Sequence, residues 1–209
     1  MLNYLFRDKT TGFYIDCGAC DPIWMGSNTY FFYLKGWKGI NIDARPGSMK
    51  RFNAVRPLDI NIEAAISDEN GIYSFYEIKN MPESGSLSLD FLKKLERDKL
   101  IDGISQVKTK KLSDILDQYM PKNKGIDFLT MDLEGFELKA LKSNNWNKYR
   151  PKVILVESFN RLKDKEYDSQ IRHYLGENGY DVLAKTLNML FFVEASVKLI
   201  NNNQQIQED

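Results

Sequence analysis

Apolar runs in this chain repeatedly stop on carboxylates. Asp16 and Asp43 close two runs in the first quarter, Asp132 with Glu134 closes a third, and Glu157 ends a fourth. In an open α/β sheet the ligand crevice lies outside the carboxyl ends of the strands, so these acids would face one crevice. Clustered like charges destabilise unless something compensates them, and a cationic or hydroxyl-rich ligand would do so. Gly18 and Ala19 after the first run let the backbone approach a ligand closely. The N–H groups at the next helix start, near 27–29, can bind a carboxylate such as an amino-acid tail. Asp43, 25 residues beyond Gly18, has the placement of an acid that accepts hydrogen bonds from two ribose hydroxyls. A nicotinamide dinucleotide also uses such an acid but needs a Gly-x-Gly-x-x-Gly turn for its pyrophosphate, which Cys17-Gly18-Ala19-Cys20-Asp21-Pro22 lacks. A phosphate-free nucleoside with an amino-acid end fits better.

Each residue has a plainer reading. Asp43 could cap the next helix, Asp132 and Glu134 could open one through its dipole, and Glu157 could sit in a surface turn. The position of all four at the ends of buried runs favours the ligand, whereas Glu137, one helical turn on, reads as a helix-opening residue. The two cysteines, Cys17 and Cys20, lack the setting of a redox pair, because Asp16 precedes them and Asp21-Pro22 follows. They read as two small thiols in a turn. Zinc is disfavoured because His173 is the sole histidine. His173 lies on an outer helix and reads as solvated. Trp24 precedes a helix and could stack on a sugar or adenine ring.

Positioning these residues requires the alternation of short apolar runs and helix-period segments that marks a parallel sheet covered by helices on both faces. Strands are expected at 12–17, 39–43, 61–67, 126–132 and 152–157, with the last two buried in mid-sheet. Helices are expected at 27–35, at 46–55 with Pro46 in the first turn, from a Ser113 cap to Pro121, at 136–143, and around Tyr167, Ile171, Tyr174 and Leu175. Residues 72–78 alternate as a strand at a sheet edge, and 107–111 are a short strand. Between these, 79–106 looks like an insertion over the sheet with a short helix at 90–99. Residues 180–184 and 189–194 form a closing hairpin turning near Leu187-Asn188, and the polar tail 201–209 reads as disordered.

With 209 residues, 29 basic against 29 acidic, the chain suits one domain over 1–200 and offers no field to draw nucleic acid. No run approaches a membrane span and the first residues mix charged and apolar types, so a cytoplasmic protein is expected.

Taken in order, Asp16-Cys17-Gly18-Ala19-Cys20-Asp21-Pro22, Ser27-Asn28-Thr29, Trp37-Lys38-Gly39-Ile40-Asn41-Ile42-Asp43 leading into Arg45-Pro46, Ala65-Ile66-Ser67, and Asp132-Leu133-Glu134-Gly135-Phe136-Glu137 resemble the FkbM-type methyltransferases, a branch of the class I S-adenosylmethionine-dependent fold. The resemblance covers 12–157 and departs at Cys20, where many relatives carry Asn. It implies a doubly wound, Rossmann-like, seven-stranded and mostly parallel sheet with an antiparallel last strand, and S-adenosylmethionine as cofactor. Asp16, Gly18 and Ala19 would then bind its methionine end, with Asn28 and Thr29 at the carboxylate. Asp43 would hold the ribose, Ile66 and Ser67 would flank the adenine, and Asp132, Glu134 and Glu157 would face the methyl and the acceptor. The implied acceptor is a small molecule or glycan, best a sugar hydroxyl, recognised by 79–106, including Ser84-Gly85-Ser86, and by Phe159-Asn160-Arg161. Either Glu134 or Glu157 deprotonates it, or Asp132, Glu134 and Glu157 hold Mg²⁺, whose preference for hard oxygen ligands they match. A dehydrogenase-like nucleotide enzyme and a non-catalytic module of the same fold are the rival readings.

Overall fold

Period-two alternation along the strands gives the central sheet two apolar faces, and helices cover both. The computed structural model describes residues 1–23, 26–158 and 165–197. In chain order the first half carries α1 (Leu2–Leu5), β1 (Phe13–Cys17), α2 (Tyr30–Leu34), β2 (Lys38–Asp43), α3 (Ser48–Val55), β3 (Ile60–Glu63), β4 (Ala65–Ile66) and β5 (Gly71–Ile78). Then come α4 (Leu89–Lys94), β6 (Ile101–Lys110), α5 (Leu112–Tyr119), β7 (Phe128–Met131), α6 (Glu137–Lys142), β8 (Val153–Glu157), α7 (Lys165–Glu177), β9 (Tyr180–Lys185) and β10 (Met189–Glu194). Seven strands form one sheet in the order β3-β2-β1-β7-β8-β10-β9. Its neighbours are parallel except that β10 runs antiparallel to both β8 and β9. This is the expected doubly wound α/β fold with an antiparallel last strand.

Phe13, Ile15 and Cys17 of β1, Leu129 and Met131 of β7, and Ile154 and Val156 of β8 point to one face. They pack there with Ile115 and Leu116 of α5, Leu141 of α6, and Ile171 and Leu175 of α7. The intervening Tyr14, Phe128, Val153 and Leu155 meet Leu2 and Phe6 of the N-terminal segment, Phe32 of α2, and Trp37. Just before β3, the buried Asp59 accepts from Tyr14 Oη (2.5 Å), Gly39 N (2.8 Å) and Asn41 Nδ2 (3.0 Å), which locks the entry to β3 against β1 and β2. These bonds satisfy a carboxylate that would otherwise be costly to bury.

Three expectations are corrected and one is refined. The run 61–67 is two strands, because the chain leaves the main sheet near Ala64 and β4 pairs with β6 instead. The alternating segment 72–78 is a strand at a sheet edge, as expected, but the sheet is a separate three-stranded one, β4-β6-β5, in which β5 pairs antiparallel with β6. The strand expected at 107–111 begins at Ile101, so the irregular part shrinks to the connection between β5 and β6, where α4 spans only Leu89–Lys94 under a Ser88 cap. Ser113 does not cap α5. Ser143 does that work, its Oγ accepting from Leu112 N (2.9 Å) and its carbonyl from Ser113 N (3.1 Å). Both cysteines are free thiols; Cys17 is buried within β1 and only Cys20 lies in the turn. His173 is exposed beside Glu177, as expected. The tail 201–209, Trp24 and Phe159-Asn160-Arg161 lie outside the described residues. Among the described residues no helix is long and apolar enough to cross a membrane.

Candidate functional site

The carboxyl ends of β1, β2 and β7 converge on one cleft, which Gly18, Asp43 and Asp132 line. β1 reaches it through Gly18, whose φ of +85° is left-handed and whose absent side chain matters. A Cβ there would lie 1.8 Å from the carbonyl oxygen of Asp132, so the end of β1 passes β7 at a distance only glycine allows. Asp43, at the end of β2, is buried; its oxygens accept from Cys20 N (2.8 Å) and Arg45 N (2.9 Å). Burial raises its pKa, and these two amides oppose the rise. Each oxygen keeps lone-pair capacity for a ligand hydroxyl. Ala65, Ile66, Phe75 and Leu87 form an apolar wall beyond Asp43. Phe75 belongs to the small sheet and Leu87 to the connection after it. That connection is fixed over the cleft by the paired backbones of Tyr76 and Ser86 (2.9 and 3.1 Å) and by Ser86 Oγ donating to Glu134 O (2.7 Å).

At the other end of the cleft Asp132, Glu134 and Glu157 bring carboxylate oxygens within 4.8 Å of one another, an arrangement that could share protons or hold a metal ion. Three negative charges this close do not ionise independently. Asp132 still reaches solvent through the cleft, yet the protein packed round it raises its pKa. Burial, with Asp132 alongside, pushes Glu134 up to about 8, against the pull of Arg97, whose Nη1 lies 3.5 Å away. Glu157 is driven highest, by burial and then by the charges of Asp132, Glu137 and Glu134; it therefore carries a proton at neutral pH. Its Oε2 is buried without a hydrogen-bond partner among the described residues.

The loop bearing Glu134 is tightly wound, with φ of +48° at Glu134 and +98° at Gly135. Glu137 holds it in that shape: fully buried, it accepts from Leu133 N (2.7 Å), Gly135 N (3.2 Å) and Tyr167 Oη (2.7 Å). It thus anchors the loop as well as opening α6, and burial pushes it up to about 7.

Of the residues expected at the site, Gly18, Asp43, Ile66, Asp132 and Glu134 line the cleft, and Glu157 adjoins it through the carboxylate cluster. The others do not line it. Ala19 packs against Met49 and Phe52. Ser67 is buried beside Asp68, to which its Oγ donates. Asn28 Nδ2 donates to Thr130 Oγ1 (3.0 Å). Thr29 is fully buried and donates to Asp16 Oδ2 (2.6 Å), so both are occupied with each other. Burial pushes Asp16 up to about 6, with Thr29 and Arg56 opposing. Sequence reasoning missed Phe75, Leu87, Arg45 and Arg97. Phe75 lies on β5, a strand that its alternation announces without saying which sheet it joins, and Leu87 lies in the connection after it. Arg45, two residues after Asp43, could have been suspected from its place in the same turn.

The family described as Methyltransferase FkbM domain matches residues 16–182. A crystal structure of the methyltransferase FkbM from Methylobacillus flagellatus KT resembles this fold with a TM-score of 0.53 at 13% identity, over 88% of this chain and 44% of that one. This chain therefore spans less than half the length of that protein. No curated protein matches the sequence. Matched from the end of β1 into β9, this chain belongs to the FkbM methyltransferase family.

Proposed function

We propose that the protein is an S-adenosylmethionine-dependent O-methyltransferase whose acceptor is a hydroxyl, best a sugar hydroxyl of a glycan or glycosylated metabolite. One observation supports the reading: a single cleft has a buried aspartate with acceptor capacity and an apolar wall at one end and a carboxylate cluster at the other. The residues fit the cofactor. Asp43 offers acceptor capacity for two ribose hydroxyls, Ile66 and Phe75 offer a surface for a flat ring, and Gly18 lines the cleft with backbone alone. Bound there, S-adenosylmethionine would supply a sulfonium methyl open to in-line attack.

The chain's own residues would then hold the acceptor oxygen about 3 Å from that methyl and take its proton. An ordinary carboxylate is a weak base for a hydroxyl, but one raised to about 8 is closer to the task, which favours Glu134 as the base. Glu157, protonated, donates or orients instead of accepting. Pro82, Glu83 and Gly85 of the β5–β6 connection edge the cleft and would contact the acceptor. A second reading is favoured by the unpartnered Oε2 of Glu157: Asp132, Glu134 and Glu157 would hold Mg²⁺, which would lower the pKa of the hydroxyl.

The test is calorimetric titration with S-adenosylhomocysteine, with NAD as the control ligand. Micromolar binding that is lost in Asp43→Ala is expected. Equal binding by the variant, or a preference for NAD, overturns the reading.

A further inference from the structure

An arginine with no exposed surface is unusual in a fold, because burying a guanidinium is costly unless its charge and donors are met. Arg56, directly after α3, is such a residue. Its side chain donates three times, and every acceptor lies on the connection between β1 and α2. Nε goes to Pro22 O (2.7 Å), Nη1 to Thr29 Oγ1 (2.8 Å) and Nη2 to Ser27 Oγ (3.1 Å). Tyr30, Tyr33 and Phe52 surround the guanidinium with ring centroids 5.2 to 5.7 Å away. Thr29 Oγ1 relays the charge to Asp16 Oδ2 (2.6 Å), so the counter-ion sits on β1, two residues before Gly18. The backbone of Arg56 is also held, its N donating to Phe52 O (2.7 Å) and its carbonyl accepting from Asn61 Nδ2 (3.1 Å).

On the opposite side of the same connection, Gly18 and Cys20 line the cleft, and the Cys20 amide donates to Asp43. We propose that Arg56 is a positioning residue for the cofactor, clamping the β1–α2 connection at Pro22, Ser27 and Thr29 so that its other side meets the cleft in a fixed shape. The link to cofactor rests on the function proposed above; the clamp itself does not. A residue needed only for packing would have no reason to direct all three of its side-chain nitrogens to one connection. Hydrogen bonds from a charged donor are strong enough for their loss to be felt there.

The test uses the whole chain with Arg56→Lys, which keeps the charge but not the fork, and with Thr29→Val against Thr29→Ser, which removes or keeps the hydroxyl relay. Hydrogen exchange of the free protein is read at the amides of 18–21, 23 and 26–29, with β7 and β8 as internal reference. The expected result is faster exchange at those amides alone in Arg56→Lys and Thr29→Val, and wild-type exchange in Thr29→Ser. S-adenosylhomocysteine should bind about tenfold more weakly to the first two, and the KM for the cofactor should rise with kcat within about twofold. Unchanged exchange at those amides, or a loss of protection that extends through β7 and β8, overturns the proposal. If wild type binds no S-adenosylhomocysteine, the proposed function fails, while exchange confined to the connection still upholds the clamp.

Discussion

Gly18→Ala asks whether the crossing of β1 and β7 is as tight as it looks, and Gly36→Ala provides its control. The two glycines have nearly the same left-handed φ, +85° and +86°, but a Cβ at Gly36 meets nothing within 4 Å while one at Gly18 lands 1.8 Å from Asp132 O and 2.8 Å from Asp132 C. Gly36→Ala therefore isolates the backbone term, about 1–2 kcal/mol for an L-residue in the left-handed region. Gly18→Ala carries that term plus a clash with main chain, which cannot rotate away as a side chain would. The carbonyl of Asp132 must retreat by roughly 1 Å or more, straining the Asp132 N to Cys17 O bond of 2.9 Å. Overpacking of this kind adds about 1–3 kcal/mol. Urea denaturation should thus place Gly18→Ala about 2–5 kcal/mol below wild type, beyond Gly36→Ala by the clash alone. The same displacement moves Asp132 against Glu134 and Glu157, so binding of S-adenosylhomocysteine should weaken in Gly18→Ala and stay intact in Gly36→Ala. Stability of Gly18→Ala within about 0.5 kcal/mol of the control, with wild-type affinity, would refute the argument, because independent surface changes already scatter that much.

The carboxylate cluster predicts a pH profile: Glu134 accepts a proton only when ionised and is held protonated below about 8, so kcat/KM should climb as pH rises through that value. Glu134→Gln should lower the rate by about a hundredfold or more and remove the rise; a rise that survives assigns the base elsewhere. Stability should run the other way. Asp16, Glu137 and Glu134 keep protons up to about 6, 7 and 8, above the values 3.8 and 4.5 of free Asp and Glu, so the folded chain binds more protons than the unfolded one through this range. Their contribution is full below the ordinary carboxylate values and is lost as pH rises through 6 to 8. Melting followed by circular dichroism from pH 5 to 9 should show Tm falling, less steeply in Glu134→Gln; a flat or rising Tm contradicts the raised pKa values. If proton sharing, and not a metal, relieves Asp132, Glu134 and Glu157, EDTA should leave turnover unchanged. Loss of turnover restored by Mg²⁺ would give the three carboxylates to the cation.

The sequence made the strand ends legible because a buried strand is an unbroken apolar run, and a carboxylate that stops it is conspicuous. Asp43, Asp132 and Glu157 could be placed at one crevice for that reason, before any coordinates. Where apolar content no longer tracks pairing, the reading failed. From 101 to 106 the strand β6 alternates between half-buried and exposed residues, with Gly103, Ser105 and Gln106 giving no apolar signal, so only its buried end at Val107 and Thr109 was visible. The break at Ala64 separates two strands of different sheets by one small residue, and no local preference marks a change of partner. Thr29 shows the subtler failure. A hydroxyl near a helix start, close to an expected ligand, reads as a ligand contact, but its environment is set by Arg56, 27 residues later, which by composition alone belongs on the surface. The polar residues between β1 and α2 thus divide into those that face the cleft and those that hold the connection from behind. That division depends on which side of the backbone a buried charge reaches, and it becomes visible only when Arg56, at the end of α3, meets the connection between β1 and α2.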